Sequence, residues 1–122
     1  MAVKSYRELE VWQQGMDLVV EVYRVSKAFP QDERWGLTSQ AQRAATSVPA
    51  NIAEGQGRVH RGDFVHHLSI ARGSLMELET HLQIANRLGL LQDAEFDALW
   101  ARCQDVGRLL NGLLRSLNSN PS

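Results

Sequence analysis

A chain of 122 residues and 13.7 kDa, with 43% hydrophobic and 22% charged side chains, can bury one core but not several, which excludes a multidomain enzyme. Thirteen Lys and Arg stand against fourteen Asp and Glu, a formal charge of -1, so the basic balance of a histone or ribosomal tail is excluded while a local cationic patch is not. The single cysteine, Cys103, allows neither an internal disulfide nor a cysteine-rich zinc site.

The opening MAVKSYRELEVW mixes basic and acidic side chains and has no apolar h-region. No run approaches the roughly 18 to 20 apolar residues of a membrane span. A cytoplasmic protein away from the bilayer is expected.

The first periodic stretch, from about 8 to 28, closes before Pro30. It is apolar along two lines about half a turn apart. Leu9, Trp12, Met16, Val19, Val20 and Tyr23 form one line; Val11, Leu18, Val22, Val25 and Phe29 form the other. A corner helix of a monomeric bundle needs a single apolar stripe. The second line, Val11, Leu18, Val22, Val25 and Phe29, is therefore expected at an oligomer interface.

A second helix is expected from about 38 to 56, with Thr38 as its N-cap. Its stripe, Ala41, Ala44, Ala45, Val48, Ile52 and Gly55, is mostly small, so close approach replaces bulk. Pro49 lies inside it and is expected to kink the axis, a defect of roughly 3 kcal/mol unless the freed carbonyl of Ala45 finds a partner. Glu54 and Arg58 are spaced i, i+4 in the favourable order for an ion pair.

The third helix, from about 63 to 88, buries Phe64, Leu68, Ala71, Leu75, Leu78, Leu82 and Ala85 and stops at Gly89, a residue suited to the left-handed C′ position. The fourth, from about 93 to 117, buries Phe96, Leu99, Trp100, Cys103, Val106, Leu110, Leu114 and Leu117, which makes Cys103 a small core hydrophobe. A disordered tail, 118–122, follows. No stretch alternates like a half-buried strand, and short connections favour antiparallel neighbours. One all-α domain over 1–122, an up-down-up-down four-helix bundle, is the expected architecture.

Several blocks of residues resemble a known family: Gly36-Leu37-Thr38-Ser39-Gln40 with Arg43-Ala44-Ala45, then Ser47-Val48-Pro49-Ala50-Asn51-Ile52-Ala53-Glu54-Gly55, then Ile70-Ala71-Arg72-Gly73-Ser74-Leu75 and Glu77-Leu78-Glu79-Thr80. Together with Leu9-Glu10-Val11-Trp12, and over about 6–117, they are similar to the four-helix-bundle proteins encoded in intervening sequences of 23S ribosomal RNA genes. The resemblance implies ring-like homopentamers without catalytic residues. It also implies a relation to the accessory variability proteins of diversity-generating retroelements, which join a reverse transcriptase and handle nucleic acid through basic surfaces. Gln42, Gly62, His66 and His67 depart from the basic or aromatic residues that such relatives tend to carry, which weakens the expected grip on phosphate.

Charge is segregated along the chain. Residues 58–72 carry Arg58, Arg61 and Arg72 against Asp63, a net +2, whereas residues 73–105 carry six acids against Arg87 and Arg102, a net -4. Arg58, His60, Arg61 and His66 are the candidate contacts to RNA or DNA. Arg43, Asn51, Glu54, Arg72, Glu77 and Glu79 are expected to form a polar network that fixes register between helices or subunits. His66 and His67 are adjacent and point apart, and the pair Asp63 and His67 lacks a third ligand, so no metal site is read. There is no phosphate loop, nucleophile elbow or dinucleotide fingerprint, and no catalytic or cofactor-binding residue is nominated. The reading is a non-enzymatic homo-oligomer with a nucleic-acid accessory role, set against a protein-interaction scaffold that ignores nucleic acid.

Overall fold

The computed structural model of the chain describes residues 5–119. A 3-10 turn, Tyr6–Glu8, leads into α1 (Glu10–Ser26). A second such turn, Gln31–Glu33, runs into a π turn, Arg34–Thr38, and then α2 (Ser39–Gln56), α3 (Arg61–Arg87) and α4 (Asp93–Asn118) follow. No strand occurs among the described residues, and the molecule is an all-α four-helix bundle. None of its helices is long and apolar enough to cross a membrane among those residues.

Cross-helix contacts set the directions. Ser26 of α1 meets Gln42 of α2, where Gln42 Nε2 donates to Ser26 Oγ at 3.0 Å. Ser47 and Asn51 of α2 meet Ser74 and His67 of α3, and Glu79 of α3 meets Gln104 of α4. Successive helices are thus antiparallel. α1 and α3 each pack on α2 and α4 and occupy opposite corners. Leu18, Val48, Ile52, Leu68, Leu75, Leu78 and Leu110 are fully buried at the centre, and Cys103 lies among them as expected.

The structure reverses the two sides of α1. Val11, Leu18, Val22, Val25 and Phe29, expected at an intersubunit seam, are only 0% to 8% exposed within the chain's own core. The outer line is the other one, with Met16 40%, Val20 61% and Tyr23 41% exposed. The cause is the closeness of α1 and α2. A Cβ added at buried Gly15 would stand 3.5 Å from Pro49 Cβ. In so narrow a gap branched Val and Leu fill the space, and the wide Trp12 and Tyr23 are pushed to the rim.

Two other local expectations change. Thr38 does not cap α2: it has helical dihedrals, and its side chain makes no capping bond. The π turn before it already carries the helical path, broken only at Gly36, and Glu33 caps this turn by accepting from the Leu37 N–H at 3.4 Å. Asn118, placed in a disordered tail, still belongs to α4, and the Ser119 N–H donates to the Arg115 carbonyl at 3.0 Å. The rest of that tail, 120–122, lies outside the described residues, as do 1–4. Pro49 is buried, and α2 continues as one helix across it.

Gly89 ends the α3 segment as its residue type foretells. Its φ is +78°, and the following Leu90 N–H donates back to the Ala85 carbonyl at 2.9 Å. An L side chain in that region costs about 1–2 kcal/mol. Gly89→Ala is expected to lower the unfolding free energy by that amount, seen as a lower urea midpoint at unchanged slope in equilibrium denaturation.

Candidate nucleic-acid interface and the polar seam between α2 and α3

α2 and α3 approach so closely that a Cβ at Gly55 would lie 2.7 Å from His67 Cβ and 3.0 Å from Phe64 Cδ1. Beside this contact runs a chain of hydrogen bonds. Asn51 Nδ2 donates to the Ser47 carbonyl (2.9 Å) and to Ser47 Oγ (3.0 Å), and Ser47 Oγ shares a proton with Ser74 Oγ at 2.8 Å. A carbonyl can only accept, so the amide nitrogen must face Ser47 and the amide oxygen must face His67. His67 Nδ1, 3.1 Å from Asn51 Oδ1, is therefore the protonated ring nitrogen. His67 Nε2 points towards Glu54 Oε1 at 4.0 Å, and the same Oε1 accepts from Arg58 at 2.8 Å.

This seam contains two of the six residues expected in one polar network, Asn51 and Glu54. Arg43 and Glu77 line a shallow polar cleft of about 450 Å³ with Gln40, Ala44, Ser47 and Ser74, and Glu77 Oε2 lies 3.3 Å from His81 Nε2. Glu79 turns the other way, accepting from Gln104 of α4 at 3.4 Å. Arg72, expected to be partly buried in the network, is exposed and makes no ion pair among the described residues. The single network divides because α3 carries Glu77 on one side and Arg72 and Glu79, spaced i, i+7, on another. His67, Ser47 and Ser74 were not predicted as its members. Their signal is the i, i+4 spacing of Ser47 and Asn51 opposite the i, i+7 spacing of His67 and Ser74.

Partial burial raises the Glu79 carboxyl above the usual carboxylate range, against the smaller lowering effect of its bond from Gln104. Burial, then the nearby Glu79 charge, pushes the Cys103 thiol up to about 12. Because the folded form of Glu79 holds its proton to higher pH than the unfolded form, stability from this group falls as pH rises through the folded value. Glu79→Gln keeps an acceptor for Gln104 and removes that loss. Thermal melts are expected to show the variant gaining on the parent at pH 7 relative to pH 4; an equal difference at both would contradict it.

The four cation candidates lie around the α2–α3 turn. Arg58, His60 and His66 are exposed and Arg61 is half-buried, with exposed Asp63 among them. Arg58 is not a bare charge, since Glu54 holds it. Among the described residues no three His, Cys, Asp or Glu side chains come together to hold a metal ion.

On the other flank of α2, Tyr6, Trp12, Met16 and Val19 line an apolar groove of about 290 Å³ with Thr46, Pro49, Ala50 and Ala53. Tyr6 and Trp12 meet edge to face at 5.2 Å.

Residues 7–112 match the family described as 23S rRNA-intervening sequence protein. The chain belongs to this family. Among solved structures, a protein of unknown function from the S23 ribosomal protein family of Bacteroides thetaiotaomicron has the same fold, with a TM-score of 0.80 and 22% identity over 86% of this chain and 95% of that one. Neither the family nor that protein is described as an enzyme. No curated protein matched. Gln42 spends its amide on Ser26 Oγ, tying α2 to α1. His67 contributes its ring to the polar seam.

Proposed function

We propose that this intervening-sequence protein is a non-enzymatic homo-oligomer, pentameric as the family resemblance implies, which presents the α2–α3 turn of each copy to nucleic acid. The observation that carries the reading is the outer face of α1. Met16, Val20 and Tyr23 stay exposed beside an apolar groove although the same helix fills its own core with another line. A monomer has no use for that continuous apolar surface.

One turn with Arg58, His60, Arg61 and His66 is a feeble phosphate site, but several copies held in one assembly multiply its effective concentration. RNA and DNA titrations by fluorescence anisotropy test this. The expected result is binding that weakens steeply between 50 and 200 mM salt, roughly tenfold or more for a few phosphate contacts. It should be lost in Arg58→Ala with Arg61→Ala, and equally in a variant that stays monomeric. Affinity that is absent, or indifferent to salt, would leave the assembly as a scaffold for protein partners.

A further inference from the structure

Resting on the nucleic-acid binding just proposed, we propose that its ligand is a single strand and that the turn between α1 and α2 holds one unpaired nucleotide of it, the base stacked on Trp35 and the phosphate held by Lys27 and Arg34. Trp35 is 84% exposed, the most exposed Trp, Tyr or Phe among the described residues. The Arg34 guanidinium carbon lies 5.3 Å from its ring centroid, so one face of the indole carries a cation and the other is open to water. The turn itself is pinned. Glu33 accepts from the Leu37 N–H at 3.4 Å, and the helical path breaks at Gly36, directly after Trp35.

Arg34 also lines a cleft of about 460 Å³ with Lys27, Ser26, Gln31, Thr38 and Gln42. Lys27 and Arg34 are the charged side chains of that lining, and neither makes an ion pair among the described residues. Asp32 and Glu33 belong to the same turn, but no carboxylate lines the cleft among the described residues. Gln42 binds Ser26 Oγ through Nε2 and keeps its amide oxygen as an acceptor, and the Thr38 side chain makes no capping bond. Two cations beside uncharged amide and hydroxyl groups suit a phosphodiester and its sugar. The adjoining indole suits the flat face of a base.

A duplex cannot use this arrangement, because its bases are stacked on one another and show a protein only their edges. A protruding indole meets the face of a base where that base is unpaired. The turn also stands at the other end of α2 from Arg58 and Arg61. Eighteen residues of helix lie between them, about 27 Å at 1.5 Å per residue. A strand of about eight or more nucleotides covers that span even at the ~3.4 Å spacing of stacked bases. Charge at one end and stacking at the other then act on one strand.

Fluorescence anisotropy of a labelled oligouridylate of about 20 nucleotides, alone and annealed to oligoadenylate, tests the assignment. Trp35→Ala is expected to weaken single-strand binding roughly fivefold or more, without altering its salt slope, and to leave duplex binding unchanged. Trp35→Phe should retain most of the affinity. Lys27→Ala with Arg34→Ala should make the slope of log affinity against log salt shallower by roughly 1.4, about 0.7 for each phosphate contact. With Trp12→Phe and Trp100→Phe, Trp35 is the one tryptophan left, and its emission should be quenched by the single strand and not by the duplex. Binding that is lost in Arg58→Ala with Arg61→Ala, yet unmoved by Trp35→Ala, overturns the stacking site and leaves the α2–α3 turn as the nucleic-acid contact. No binding of either probe by the parent overturns both. A Trp35→Ala chain whose mass by light scattering falls below the parent's assigns Trp35 to a contact between copies and also overturns the site.

Discussion

Val22→Asp is expected to unfold the protein, whereas Val20→Asp two residues earlier should leave it helical. Val22 is 2% exposed in the core and Val20 is 61% exposed on the outer face. A carboxylate at position 22 would enter the buried apolar cluster that Val22 shares with Leu18 and Val25. Burial of an unpaired charge costs several kcal/mol even after relaxation, a large share of the ~5–15 kcal/mol that holds a domain of this size. Far-UV circular dichroism at 25 °C should show Val22→Asp largely unfolded or with its midpoint collapsed. Val20→Asp should match the parent's helicity, because its charge reaches water unless a sister copy covers it. Equal helicity in both variants would mean that the inward and outward lines of α1 are wrongly assigned.

Gly55→Ala is the second large effect. The added methyl meets His67 Cβ at 2.7 Å, and that atom is fixed to the α3 backbone, while the Phe64 ring at 3.0 Å and its carbonyl at 3.3 Å close the other directions. α2 and α3 must separate, which loosens the bond between Asn51 and His67. Overpacking of this kind costs ~2 kcal/mol, a fall in Tm of about 6–10 °C for a domain of this length. Gly15→Ala provides the contrast. Its methyl would touch Pro49 Cβ at an ordinary 3.5 Å, so the helix-propensity gain of up to about 1 kcal/mol is not opposed by a clash. Scanning calorimetry of the pair should separate the two glycines; a Gly55→Ala protein as stable as Gly15→Ala would contradict the close α2–α3 contact.

Sequence periodicity carried the architecture because each of the last two helices has one apolar stripe and one stop signal. Leu68, Ala71, Leu75, Leu78, Leu82 and Ala85 in α3 and Leu99, Cys103, Val106 and Leu110 in α4 are buried as their spacing requires. Phe64, Phe96, Trp100, Leu114 and Leu117 of the same expected stripes are only half-buried. Gly89 takes its left-handed turn. The i, i+4 pair Glu54 and Arg58 forms as read. In α1 the same reasoning could not choose, since two apolar lines satisfy a 3.6-residue period equally well. What decides between them is a distance between helices, set by Gly15 against Pro49. That quantity belongs to a pair of helices and is written in neither alone.

The polar residues were harder still to place. A rotation of about 100° per residue puts Glu77 on one side of α3 and Arg72 and Glu79 on another. Their partners depend on which helix stands on each side: Glu79 meets Gln104 of α4, and Glu77 meets His81 on its own helix. The Asn51–His67 seam needed the register of α2 against α3, which the close contact at Gly55 fixes.

Multi-angle light scattering of the parent chain beside Val20→Asp at micromolar concentration reaches the central claim most directly. The claim is that the exposed side of α1 is covered by another copy. The parent is expected to have several times the 13.7 kDa chain mass, five times it if the family resemblance holds in number, and Val20→Asp is expected to fall towards a single chain while keeping its helicity. A parent of 13.7 kDa, or a Val20→Asp protein that assembles as the parent does, would contradict it.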